Sequence, residues 1–164
     1  MQIVELEDPS RLDDLRDLWL ALHHHHRDVV RFARLQADDD VSWAQRRATY
    51  AGWLAAGQAL ILVAREDGGA AAAYAALRFH DGPDDTFAVG DRYAELYSLS
   101  VSPAHRSAGL GTRLLDEVDR RLDELGIAEL AVSVMADNAA ARRFYERRGL
   151  MEVEVSLWRA RRSS

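Results

Sequence analysis

A mixed α/β fold is predicted for this chain on three observations. Runs with apolar residues at every second position alternate with stretches whose apolar residues recur at helical spacing. Asp67-Gly68-Gly69 joins two strand-like runs as a hairpin turn. A third strand-like run stops at Pro103 and passes through Gly109 and Gly111 into an amphipathic stretch.

The elements follow in order. Gln2 to Leu6 alternates at period two and reads as a first strand. Asp8-Pro9-Ser10 starts a helix whose face is Leu12, Leu15, Leu18, Trp19 and Leu22. His23 to Asp40 is polar and receives no assignment. Ser42 to Ala56 fits a second helix, with Trp43, Tyr50, Trp53 and Leu54 apolar and Gly57 closing it. Ala59 to Arg65 reads as a buried strand, and Ala70 to Phe79 as its antiparallel return. His80 to Asp91 is a turn-rich loop, and Tyr93 to Val101 the next strand. Leu114, Leu115, Val118, Leu122 and Leu125 form a helical stripe closed by Gly126. Glu129 to Met135 is expected as a strand, Asn138 to Arg148 as a short helix ended by Gly149, and Leu150 to Trp158 as the final strand. The basic stretch Arg159 to Ser164 is expected to fray.

The bounds are simple. With 164 residues, no repeats and no linker, one domain over residues 1–164 is expected. The chain has no cysteine, which excludes disulfides, a Cys nucleophile and Cys-bound zinc. A formal charge of -6 argues against nonspecific nucleic-acid binding and favours a cationic partner. No apolar run is long enough to cross a bilayer, and Met1 to Glu7 lacks the layout of a signal peptide, so no membrane partner and a cytoplasmic location are expected.

Two motifs carry chemistry. In Val101 to Thr112, Arg106, Gly109 and Gly111 stand where a strand turns into a helix. Closely spaced glycines let successive amides converge, and a helix N-terminus favours an anion, so a pyrophosphate suits the turn. The plainer reading is that the glycines only relax the turn. It is not a Walker A loop, since no Lys-Ser/Thr pair follows Gly111, and a dinucleotide fingerprint would need glycine at Leu114. The second motif runs from Asn138 through Arg142-Arg143-Phe144-Tyr145 to Gly149. On residues alone, Tyr145 reads first as helix packing and Asn138 as a helix cap.

Together, Arg106-x-x-Gly109-x-Gly111 and Asn138 to Gly149 resemble the GNAT superfamily of acetyl-CoA-dependent N-acetyltransferases, closely from Tyr93 to Leu157 and loosely upstream. The resemblance implies a mostly antiparallel sheet splayed between two parallel strands, flanked by about four helices. It implies acetyl-CoA as co-substrate and no metal. The diphosphate would lie on the amides of Ser107, Ala108, Gly109, Leu110, Gly111 and Thr112, beside Arg106. The pantetheine arm would pair with Leu99, Ser100 and Val101, and Asn138 would meet it near the thioester. Tyr145 would be the general acid in direct transfer to a primary amine.

Glu95 is the candidate base, an acid in a strand among apolar neighbours. Some members of the superfamily carry a base-like Glu there. Others carry one at the position of Ser133, where this chain departs. His23-His24-His25-His26 follows the first helix, toward the expected acceptor side; an acceptor contact, a metal ligand and a solvated helix end are all open. Asp38-Asp39-Asp40 and Asp84-Asp85 read as solvated loops, Asp40 as a helix cap, and Trp43 and Trp53 as core. The acceptor, a small-molecule or peptide amine, is not specified by any motif. Nor is the oligomeric state, with a homodimer one option. A non-catalytic acyl-CoA-binding module on the same fold is the competing function.

Overall fold

A computed structural model describes residues 1–32, 34–83 and 85–159. Five strands form one sheet in the order β1-β2-β3-β4-β5: Gln2–Glu5, Ala59–Arg65, Ala71–Asp81, Arg92–Val101 and Leu130–Val132. The first four are antiparallel neighbours, and β5 runs parallel to β4. Four α-helices flank the sheet: α1 (Arg16–Val29), α2 (Asp39–Ala55), α3 (Leu110–Leu125) and α4 (Ala139–Glu146). Among the described residues, no helix is long and apolar enough to cross a membrane.

The uninterrupted apolar run of β2 follows from its position. Leu60 and Leu62 pack with Leu114, Leu115 and Val118 of α3 on one face, while Ile61 and Val63 pack with Leu12, Leu15, Trp43 and Tyr50 on the other. A strand covered on both faces has no side to leave polar. Each such Leu or Ile contributes about 1.5–3 kcal/mol on burial.

The local stops are visible in the backbone. Gly126 closes α3 at φ 68° and Gly149 follows α4 at φ 86°, in the left-handed region that glycine enters without strain. Asp38, rather than Asp40, caps α2: its carboxylate accepts from the Val41 amide at 2.9 Å, while Asp40 pairs with Arg16 at 2.8 Å. The unassigned His run is the last half of α1, which begins only after a 3₁₀ turn at Pro9–Leu15.

Two expected strands differ from the structure. Of Glu129 to Met135, only Leu130–Val132 pairs, with Ala94, Glu95 and Leu96. A bulge in β4 places Tyr97 between the paired residues Leu96 and Ser98, and parallel pairing with β5 stops at Leu96. Residues 151–159 form no strand at all, although Met151, Val153, Val155 and Leu157 alternate and are exposed. A three-residue β5 offers little ladder for them to extend; the segment is held instead by Arg142 to Glu152 and by the ring contact of Phe32 with Trp158 at 6.4 Å. Residues 160–164 of the basic tail, and Asp84 of the Asp84-Asp85 pair, lie outside the described residues.

Candidate active site

Past Leu96, β4 continues to Val101 without β5 beside it, so the two parallel strands splay. The Ser102 amide donates to Ala72 O of β3 at 2.9 Å. By the two-residue alternation of a strand, the amides of Ser100 and Ser98 also face β3, while those of Leu99 and Val101 face the open edge. Ser100 is turned inward in its side chain as well: its hydroxyl donates to Leu18 O of α1 at 2.7 Å, and the residue is buried. Leu99 and Val101 therefore present backbone to the splay, and Ser100 anchors the strand behind them.

The glycine turn stands at the end of this edge. Pro103–His105 makes one 3₁₀ turn, Ser107 takes φ 63° and Gly109 φ 75°, and α3 begins at Leu110. Ser107 is the one non-glycine residue in the left-handed region among the described residues. Arg113 is the residue whose amide bonds back to Gly109 O, at 3.0 Å, which leaves the amides of Leu110, Gly111 and Thr112 pointing out along the axis. Arg106, Ser107, Ala108, Gly109 and Thr112 are exposed, so the turn is open. Arg106 folds its Nε toward Val101 O at 3.4 Å, beside the strand end. These residues fit a diphosphate: oriented amides, a helix N-terminus and a guanidinium share one exposed corner.

Asn138 caps α4, its Oδ1 accepting from the Ala141 amide at 3.1 Å, and it is buried. Phe144 and Tyr145 both pack against the α3-side core, with ring centroids 5.2 Å apart. Burial pushes the Tyr145 phenol up to about 12, so it holds its proton at neutral pH.

Glu95 sits on β4 where β5 still pairs, opposite Arg78 of β3. His80 Nε2 lies 2.9 Å from its carboxylate, and the imidazole stacks on Tyr93 at 4.9 Å. Sequence reading named Glu95 but missed His80, whose position follows only from the β3–β4 register. Tyr97, two residues on, meets Trp53 edge-on at 4.7 Å, and Trp53 is half-buried against the core. Trp43 is buried in the core as expected.

The four histidines separate. His23 is buried, stacks on Trp19 and contacts Gln36 O at 2.7 Å; His24 pairs with Asp39 at 2.8 Å. His23 and His26 line a cavity of about 390 Å³ with Trp19, Arg46, Tyr97 and Met135. Burial first, and then the charges of His25, His23 and Arg46, lower His26 to about 4. Among the described residues, no group of three or more His, Cys, Asp or Glu is placed to hold a metal ion.

Comparison with known proteins agrees with this geometry. Residues 12–150 match the acetyltransferase (GNAT) family. The [ribosomal protein bS18]-alanine N-acetyltransferase of Escherichia coli K12 is 37% identical over 62 residues, 38% of this chain and 42% of that protein. Mycothiol acetyltransferase of Kocuria rhizophila is 30% identical over 98 residues, 60% of this chain and 31% of that protein. The matches thus span less than half the length of these curated relatives. In fold, the chain resembles a predicted acetyltransferase of Clostridium acetobutylicum solved with acetyl-CoA, at a TM-score of 0.76 and 16% identity over 97% of this chain and 95% of that one. With its splayed parallel strands, open glycine turn and α4 motif in place, this chain belongs to the GNAT family of acetyltransferases.

Proposed function

We propose that the protein transfers the acetyl group of acetyl-CoA directly to a primary amine. The observation that carries the reading is the exposed left-handed turn at Ser107 and Gly109, set at the open end of the β4–β5 splay. Acetyl-CoA supplies an activated acyl group as its thioester. The turn amides and Arg106 hold its diphosphate, and the outward amides of Leu99 and Val101 pair with the arm. An amide of that edge also polarises the acyl carbonyl.

Direct transfer needs both reactants held together, one proton accepted and one donated. The amine nitrogen forms the new bond to the acyl carbon as the carbon–sulfur bond breaks. Glu95, positioned by His80, accepts the amine proton through water. Tyr145 gives its phenolic proton to the departing sulfur. Asn138 holds the start of α4, and with it Tyr145, at the arm.

Thiol release from acetyl-CoA across an amine panel tests this, with Tyr145→Phe run beside the wild type. Amine-dependent release that falls about 10²-fold or more in Tyr145→Phe, with CoA binding kept, is expected. CoA binding without amine-dependent release from any acceptor would leave a binding module instead.

A further inference from the structure

The cavity beside α2 lies against the splay, since it is lined by both Tyr97 on β4 and Met135 beyond β5. Its wall is chemically one-sided. Among the described residues that line it there is no carboxylate, and the charged group is Arg46. That guanidinium is packed over Trp19 at 3.9 Å and Tyr97 at 4.5 Å. Its Nη1 is buried without a hydrogen-bond partner among the described residues.

Aromatic rings engage a guanidinium through its face and leave the N–H donors in its plane. A half-buried guanidinium with no carboxylate beside it keeps donor capacity for an anion that enters the cavity. His26 adds a neutral imidazole to the same wall, held uncharged at neutral pH by its burial.

We propose that the acceptor amine carries an oxyanion, a carboxylate by preference, which Arg46 holds in this cavity while the amine faces the splay. The inference rests on the transferase reading and narrows it: the acceptor is cationic at the reacting end and anionic at the other. A carboxylate matches the planar fork of a guanidinium in two parallel hydrogen bonds; a phosphate shares the oxyanion chemistry.

Matched acceptors decide it. β-Alanine is compared with β-alaninamide, and phosphoethanolamine with ethanolamine, in wild type, Arg46→Met and Arg46→Lys. Wild type is expected to favour the anionic member by about tenfold or more in kcat/KM, the larger ratio in the carboxylate pair. In Arg46→Met the ratio is expected to fall to near one. Arg46→Lys, which keeps the charge without the fork, is expected to raise KM for β-alanine while holding kcat within about threefold. A larger ratio in the phosphate pair would assign the site to phosphate and overturn the carboxylate preference. Equal rates within both wild-type pairs, or a ratio unchanged in folded Arg46→Met, would overturn the proposal. Should Arg46→Met fail to fold, Arg46→Lys decides, and an unchanged KM there overturns it. Should no amine turn over at all, the transferase reading fails by itself. Tryptophan fluorescence, with Trp19 against Arg46, then reads the anion site directly. Saturable quenching by N-acetyl-β-alanine but not its amide, lost in Arg46→Met, supports the site; no difference between the two overturns it.

Discussion

Gly109 and Gly111 are separated by one residue, yet the structure predicts opposite outcomes when each becomes alanine. Gly111 lies in the first turn of α3, and a Cβ there would stand 3.7 Å from Val101 and 3.9 Å from Phe144, ordinary contacts. Alanine should therefore gain helix propensity of about 0.8–1 kcal/mol, and the melting temperature should rise by roughly 2–4 °C. The same methyl fills the groove between the end of β4 and α4, beside the proposed diphosphate seat. Displacing a phosphate from one amide costs about 1.5–3 kcal/mol, or about 10- to 100-fold in Kd for CoA. Gly109 has open space around its Cβ position but φ 75°, so alanine there meets backbone strain of about 1–2 kcal/mol and should melt several degrees lower. Calorimetric melting and CoA titration on the two variants read both quantities. A Gly111→Ala protein that melts higher and binds CoA within about twofold of wild type would refute the cradle, leaving the glycines as a mere connector.

Two further outcomes follow from buried phenols. Because Tyr145 is raised to about 12, its acid form persists through neutral and mildly alkaline pH; activity that depends on it should be lost only as pH rises toward that value, and a pH–rate profile with a Tyr145-dependent fall near 9 would contradict the role. The Tyr50 hydroxyl donates to Ser98 Oγ at 2.8 Å and lies 3.3 Å from the Tyr74 hydroxyl, all buried, so Tyr50→Phe strands polar groups and should cost about 1–3 kcal/mol by urea unfolding.

What the sequence disclosed was what one continuous segment encodes. Gly109, Gly126 and Gly149 all adopt positive φ at helix ends, and Asn138 is the cap its residue type suggests. The Leu60-to-Ala64 run is buried on both faces, as a continuous apolar strand requires. What stayed hidden depends on partners distant in the chain. The alternation of Met151, Val153, Val155 and Leu157 is a strand pattern, but a pattern supplies no neighbour to pair with, and β5 is only three residues long. β5 ends where β4 bulges at Tyr97, a feature that no residue of β5 announces. Arg46 looks like any arginine on an amphipathic helix; its character comes from Trp19 on α1 and Tyr97 on β4.

The two halves of the site also differ in what keeps them in place. The proposed cofactor half is mostly backbone, and a backbone edge is useful only if the strand behind it cannot slide back into pairing. On β4 that restraint is polar and buried: Ser98 is tied to Tyr50 of α2, and Ser100 to Leu18 O of α1. Both bonds come from the face of the sheet that α1 and α2 cover, so the elements that shape the proposed acceptor cavity also hold the open edge at Leu99 and Val101. Apolar packing alone would tolerate a shift of register here; two directional hydrogen bonds do not. Helices α1 and α2 thus hold the open edge from behind, and the splay is a fixed feature of the fold.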